Sequence, residues 1–484
     1  MSGQSTDVLQ DEDAGRRLAR GVEVELTIEK FADRGKSLAR VDGFVVFVAG
    51  AVPGDRVRVR VIKRKRKYAE ARITHILEPS PLRTQPRCKY SGVCGGCTWQ
   101  HVDYAAQLDA KRQSVKEALI HHGGCQNIEV QPVIGADSIY AYRNKMEFSF
   151  SAHRWLTPQE IATGEPLRTN FALGLHVPGN FAKVVDLTEC HLPPPKAVRL
   201  VNGLRRFVQE RDWKPWNIRR HEGFLRHLVL RTAHELPEYM VNLVTFGHDP
   251  ERMDMLATWL RSEHAEVTTF VNTVHTGLAQ TVYGEATHTV FGSGVIHDKI
   301  GPHRFAIAPK AFFQTNTRQA ERLYAVILAM ADLKPQDLVF DLYCGAGTIS
   351  VYVASHARRV VGVELVPEAV DNARANAAAN GYSNCTFVAG DMLRVFTPDF
   401  IAEHGKPNVV IADPPRAGMH ARIIGQLMRL RPERLVYVSC NPVSQARDVA
   451  MLTDAYHIDR IQPVDLFPHT YHVENVISLR AKRD

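Results

Sequence analysis

The sequence predicts a multidomain chain: a small N-terminal β-barrel, a central α+β domain, and a C-terminal α/β domain on a parallel sheet. Short, mostly alternating strand patterns crowd residues 21–80, strand-like and helical runs mix through the middle, and short apolar runs alternate with helical stretches from about residue 335. A length of 484 residues is too great for one core, so two to four domains are expected. With 45% hydrophobic and 23% charged residues, a disordered or fibrous protein is excluded. No apolar run is long enough for a membrane helix, and the first twenty residues have no apolar core for a signal peptide, so a cytoplasmic protein is expected. Residues 1–20 read as a disordered tail.

In the barrel segment, VEVELTIEK and DRVRVRVIK alternate apolar and polar residues, FVVFVA is a continuous apolar run, and YAEARITHIL follows. Turn-rich stretches connect them, which predicts four or five short strands. Arg56, Arg58, Arg60, Lys63, Arg64, Lys65, Arg66, Lys67 and Arg72 crowd one stretch, with few acids near, in a chain of formal net charge +8. Alternate arginines on a strand share one face, which suits a phosphate backbone or simply blunts an edge strand. The segment resembles a TRAM domain, an OB-like RNA-binding barrel, and the expected boundaries are 21–80.

The central α+β domain is expected over residues 81–305 and opens on a loop with Cys88, Cys94 and Cys97. Three thiols at x5 and x2 spacing, with Gly95-Gly96 between two of them, suit zinc or an iron–sulfur cluster. The fourth ligand stays open between Cys125 and Cys190. A helical pattern at about 100–125 follows and is read as a possible partner of the C-terminal domain.

The C-terminal domain, 306–484, reads as alternating β and α. Ligands on such sheets bind where strands end. LVFDL runs into Tyr343, Cys344, Gly345, Ala346, Gly347 and Thr348, where two glycines allow a tight turn and close ligand approach. VVGVE ends in Glu364, a carboxylate able to accept from ribose hydroxyls, and CTFVA ends near Asp391, placed for an adenine amino group. NVVIADPPRAG places Asp413 before two prolines, and Arg416 is available for a phosphate. RLVYVSCNP places Cys440 at a strand end ahead of a helix, where a lowered thiol pKa is expected. Glu474 lies in an apolar, aromatic stretch and reads as a general base or a strand glutamate; His469 and His472 are near it with no reason to prefer them. Cys125, Cys344 and Cys385 read as small buried residues.

The strand-end features together resemble the S-adenosylmethionine site of a Rossmann-like methyltransferase. The ordered motifs FFQTNT, DLYCGAGTIS, VVGVELVPEAVDNA, DPPRAG, VYVSCNP and DLFPHTYHVENV resemble the RNA uridine C5-methyltransferases that form 5-methyluridine. RCKYSGVCGGCTWQH, YRNKMEFSF and GFLRHLVLR extend the resemblance upstream. The barrel and the cysteine loop point to the 23S rRNA branch; the tRNA branch is the alternative.

The resemblance implies Cys440 as nucleophile, Glu474 as base, and Gln314, Tyr343, Thr348, Glu364, Asp391 and Asp413 at the cofactor. It selects Cys190 as the fourth ligand of a 4Fe-4S cluster with Cys88, Cys94 and Cys97, set apart from the methyl-transfer residues. It implies an RNA partner, with no membrane and a monomer expected. A radical S-adenosylmethionine enzyme is disfavoured, because that site needs x3 then x2 spacing and its TRAM domain is C-terminal. A non-catalytic RNA-binding protein leaves Glu474 without a use.

Overall fold

The structure, a computed structural model, describes residues 18–483. Most of the expected tail, residues 1–17, lies outside the described residues. Leu18, which the tail was expected to include, is instead fully buried in the barrel core. The described chain forms two compact units. One holds residues up to Ala110 with Phe467–Tyr471, and the other holds Lys111–Leu466 and the stretch from His472.

In the first unit, β1 (Glu23–Thr27), β2 (Lys30–Phe31), β3 (Ser37–Val41), β4 (Phe44–Ala49), β5 (Arg56–Arg64) and β6 (Tyr68–Glu78) form one sheet in the order β1-β5-β6-β4-β3-β2. That is six strands where four or five were expected; the two-residue β2 is too short to give a pattern. Period-two alternation sends Val57, Val59 and Val61 of β5 into the core and Arg56, Arg58 and Arg60 outward. The arginine row is not an open cationic face. Arg56 lies 2.5 Å from Glu78, Arg58 2.8 Å from Glu25, and Arg60 2.7 Å from Glu23, on the two strands that flank β5. Lys65, Arg66 and Lys67, at the β5–β6 turn, make no ion pair among the described residues and are exposed.

The loop that carries Cys88, Cys94 and Cys97 lies in this unit. Trp99, with Val102 and Ala106, forms a small core beside Val52, and its indole N–H donates to the Gly35 carbonyl at 3.0 Å. Arg83 reaches the buried Asp55 carboxylate at 2.6 Å. Burial works upward on Asp55, but Arg83 and the N–H groups of Ser80 and Val52 outweigh it and hold the carboxyl below its usual range.

Helix α1 spans Tyr104–His121. In the second unit, β7 (Lys145–Ser151), β8 (Arg154–Trp155), β9 (Ala172–Val177), β10 (Asn180–Asp186), β11 (Leu225–Thr232), β12 (Tyr239–Thr245), β13 (Val267–Val274) and β14 (Ala286–Phe291) form a mixed sheet in the order β14-β13-β12-β11-β7-β9-β10-β8. Among its connections are α2 (Pro158–Thr163), α3 (Pro195–Glu210) and α4 (Pro250–Glu263). A hairpin, β15 (Ile296–Ile300) and β16 (His303–Ile307), leads to α5 (Thr317–Ala331).

The C-terminal sheet contains β17 (Leu338–Leu342), β18 (Arg359–Glu364), β19 (Cys385–Ala389), β20 (Val409–Ala412), β21 (Arg434–Ser439), β22 (Tyr456–Val464) and β23 (Glu474–Ala481). Their order is β19-β18-β17-β20-β21-β23-β22. The first five are parallel, as the alternating pattern predicts. The last two are not: β23 runs antiparallel between β21 and β22, so the sheet is mixed. A loop of nine residues, too short for a crossover helix, joins β22 to β23 and reverses the chain. Helices α6 (Thr348–Val353), α7 (Pro367–Ala379), α8 (Met392–Val395), α9 (Pro398–His404), α10 (Ala421–Leu430) and α11 (Pro442–Leu452) connect the strands. Val115, Ala118 and Leu119 of α1 join the same core as Phe340, Val410 and Tyr437. Strand order reverses between β17 and its neighbours β18 and β20, which opens a crevice at their carboxyl ends.

Candidate active site

Tyr343, Gly345 and Gly347 line the loop after β17, all at positive φ. The two glycines have different tasks. A Cβ on Gly347 would lie 2.8 Å from Ala373, so only glycine lets α6 and α7 approach. A Cβ on Gly345 would meet nothing within 4 Å and would point into open space. Glu364, at the end of β18, accepts the N–H of Gly345 at 3.1 Å and of Val366 at 2.9 Å, so it fixes the loop while keeping lone pairs for a ligand. Asp391 caps α8 by accepting the Leu393 N–H at 2.9 Å, with one oxygen left. The Thr348 hydroxyl lies 2.7 Å from Tyr324 Oη. Gln314 is buried, and its carbonyl accepts from Asn144 at 2.9 Å.

Asp413 follows β20, and Glu474 opens β23. Ser439 pairs with Asn475 in the antiparallel β21–β23 ladder, so the next step opposes Cys440 and Glu474. Burial pushes Glu474 well above the usual carboxylate range, and Asp413 adds to it. Burial, with Asp341 behind it, pushes Asp413 up to about 7. Asp341 is also pushed up to about 7 by burial; Ser350 donates to one of its oxygens at 2.5 Å, and the other has no hydrogen-bond partner among the described residues.

The Cys440 thiol is not lowered as its place ahead of a helix predicts. Burial, then the charges of Glu474 and Asp413, push it up to about 11, against a downward pull from Arg416. The helix end is already served: Asn441 is the N-cap of α11, and its side chain accepts the Val443 N–H at 3.2 Å. Of the two histidines, His472 is pushed down to about 4 by burial and by Arg416, Lys111 and Arg143, so it is neutral at pH 7. His469 lies in the first unit, where its N–H donates to Gln107 Oε1 at 2.8 Å and its carbonyl accepts from Thr98 and Trp99.

Several positioning groups carry no sequence signal. Asp448, fully buried on α11, accepts from Tyr437 Oη and from the Met419 N–H, both at 2.7 Å. Asn441 and Ser444 donate to the Arg416 carbonyl at 3.0 and 3.1 Å. Together they fasten the loop after Asp413 to the helix after Cys440. Only the fold reveals them, since their partners lie 11 to 29 residues away.

Four acids, Asp341, Glu364, Asp413 and Glu474, thus gather at the carboxyl ends of the strands, three of them with raised pKa. A cation bound near them relieves their mutual repulsion. The sulfonium and ammonium of S-adenosylmethionine have that charge, and the open side of Gly345 gives backbone access. The residues fit the group.

The tRNA (uracil-5-)-methyltransferase family matches residues 296–482, and the TRAM domain matches 17–74. An uncharacterized RNA methyltransferase of Porphyromonas gingivalis is 41% identical, over 94% of this chain and 99% of its own length. Another from Chlorobaculum tepidum is 41% identical over 95% and 96%. The chain belongs to the S-adenosylmethionine-dependent RNA uracil-C5 methyltransferases. The Pyrococcus abyssi tRNA (uracil-54, C5)-methyltransferase, solved with S-adenosyl-L-homocysteine, matches with a TM-score of 0.73 at 29% identity, covering 94% of this chain and 100% of that one. The family accounts for a crevice that takes a cationic methyl donor. No helix among the described residues is long and apolar enough to cross a membrane.

Cys88, Cys94 and Cys97 are half-buried in their loop, and Cys190 is half-buried in the second unit. The Gly96 N–H points to Cys94 Sγ at 3.4 Å, and Gln100 Nε2 to Cys97 Sγ at 3.2 Å. Such N–H···S contacts suit thiolates. Among the described residues no group of three or more His, Cys, Asp or Glu side chains is arranged to hold a metal ion.

Proposed function

We propose that the protein transfers a methyl group from S-adenosylmethionine to C5 of a uridine in 23S rRNA, through a covalent bond between Cys440 and uracil C6. The observation that carries this reading is the opposition of Cys440 and Glu474 on neighbouring strands, with Asp413 acting on both.

Uracil C5 is a weak nucleophile, and addition of sulfur at C6 makes it a strong one. Asp413 hydrogen-bonds the uracil edge or orients the loop of the nucleophile, the Cys440 proton leaves to solvent as the base binds, and Arg416, whose charge lowers the thiol, favours the thiolate. The sulfur bonds to C6, and the electron pair moves toward C5 and O4. S-adenosylmethionine, when bound, supplies the electrophilic methyl. Glu474, whose carboxyl is pushed up by burial and by Asp413 and so is more basic, takes the C5 proton. The C6–S bond then breaks and returns Cys440. Gln314, Tyr343, Thr348, Glu364 and Asp391 hold the cofactor. The target base must leave any stack to reach Cys440.

The 23S rRNA assignment rests on the TRAM match together with the cysteine loop. A tRNA substrate is the second reading, favoured by the likeness to the Pyrococcus abyssi tRNA enzyme. Mapping 5-methyluridine in cells lacking the protein decides: loss from 23S rRNA supports the first, and loss from tRNA alone supports the second. The protein acts in the cytoplasm as a monomer.

Cys88, Cys94, Cys97 and Cys190 would hold a 4Fe-4S cluster as a structural or RNA-positioning element. The three-thiol spacing and the N–H donors to two sulfurs support it. Anaerobic purification followed by iron and sulfide analysis tests it. About four of each per chain are expected for such a cluster, and a stoichiometric zinc content with no sulfide overturns it.

A further inference from the structure

A second surface of the central domain has the chemistry of a nucleic-acid track. Helix α3 places Lys196, Arg199, Gly203 and Arg206 at successive steps of three or four, so they share one face. At 1.5 Å per residue the three cations span about 15 Å. All three are exposed, and none makes an ion pair among the described residues. Their face borders an open groove of about 660 Å³ that Trp259 of α4 also lines. Gly203 sets the width of that groove: a Cβ there would come within 2.9 Å of the Trp259 ring. Trp259 is braced by Phe207 at 5.2 Å and by His264 at 4.9 Å, and the residue is half-buried.

The groove also has acids, but two have their own partners. Glu210 lies 3.6 Å from Arg211, and Glu266 lies 3.3 Å from His264. Glu263 receives the Ser262 hydroxyl at 3.4 Å. Among the described residues none of these acids pairs with Lys196, Arg199 or Arg206. A row of cations beside a braced aromatic ring matches single-stranded RNA, whose phosphates follow the charge while a base stacks on the ring.

We propose that the α3–α4 groove binds a single-stranded segment of the RNA substrate, with phosphates on Lys196, Arg199 and Arg206 and a base against Trp259. The proposal rests on the RNA-modifying reading above and adds a contact surface on the central domain. It assigns the groove to substrate affinity, not to the methyl-transfer step.

The test uses the full-length protein with polyuridylate. The triple variant Lys196→Ala, Arg199→Ala, Arg206→Ala should bind about tenfold or more weakly, and the slope of log affinity against log salt should fall by about 2. Ultraviolet cross-linking of the wild type should mark the peptide that holds Trp259, independently of any variant. With the natural RNA, KM should rise and kcat stay. An unchanged salt slope with no cross-link to that peptide overturns the proposal. So does a groove in which polyglutamate competes as well as polyuridylate, which would indicate an acidic protein partner. Covalent trapping on 5-fluorouridine RNA keeps the two ideas apart. If the wild type traps RNA and the triple variant keeps its salt slope, the groove assignment fails alone. If the wild type fails to trap RNA, the catalytic reading fails, and the binding result stands by itself.

Discussion

Cys440 and Glu474 face each other across the antiparallel β21–β23 ladder, one step beyond the Ser439–Asn475 pair. Burial, then the charges of Glu474 and Asp413, raises the thiol. In the substrate-free protein Cys440 is a resting thiol, and its activation depends on what binds. Alkylation of Cys440 by iodoacetamide should be slow at pH 7 and rise toward a midpoint near 11. Asp413→Asn removes one of the charges that raise the thiol and should shift the midpoint down. Mass-spectrometric rates over pH measure both; a midpoint below 9 contradicts the account.

Asp413 titrates about 7 because of burial, reinforced by Asp341. Its charge favours a cationic ligand, so affinity for S-adenosylmethionine should increase as pH rises through 7. The same shift has a sign for stability. The folded pKa lies above the unfolded one, so ionisation is a penalty that builds between about pH 4 and 7 and is absent below it. Asp413→Asn should therefore raise Tm at pH 8 and leave it nearly unchanged at pH 4.

Gly345 and Gly347 both sit at positive φ, yet their substitutions should differ. Gly347→Ala adds a clash with Ala373 at 2.8 Å and should lower Tm by several degrees. Gly345→Ala adds a methyl on the open side, costs about 1 kcal/mol of backbone strain, and should mainly weaken cofactor binding. Calorimetry with and without S-adenosylhomocysteine separates them.

Lys111 of α1 meets Asp465, just past β22, at 2.6 Å with both side chains fully buried. Removing one partner of such a pair costs about 3–5 kcal/mol. Lys111→Met should reduce the free energy of urea unfolding by that order; a loss below 1 kcal/mol contradicts it.

The sequence carries the parallel strands because buried strands read as continuous apolar runs, and each strand-end residue follows such a run. It does not carry the antiparallel placement of β23, which depends on how nine loop residues turn the chain. That placement is what joins Glu474 to Cys440. The raised pKa of the Cys440 thiol escapes the sequence for a related reason. A helix ahead of Cys440 is visible locally, whereas the acids that outweigh it come from β20 and β23. The arginine row on β5 is legible by alternation, but its glutamates come from neighbouring strands. Charge removal at Lys65, Arg66 and Lys67 should consequently weaken RNA binding more than the same number of changes at Arg56, Arg58 and Arg60. Filter-binding across salt compares them.

The most direct test of the catalytic claim is trapping. Protein, S-adenosylmethionine and 5-fluorouridine-substituted rRNA are incubated and resolved under denaturing conditions. Fluorine at C5 denies Glu474 its proton, so a covalent RNA–protein adduct should accumulate in the wild type and be absent in Cys440→Ala. No adduct in the wild type, or an adduct that persists in Cys440→Ala, contradicts the mechanism.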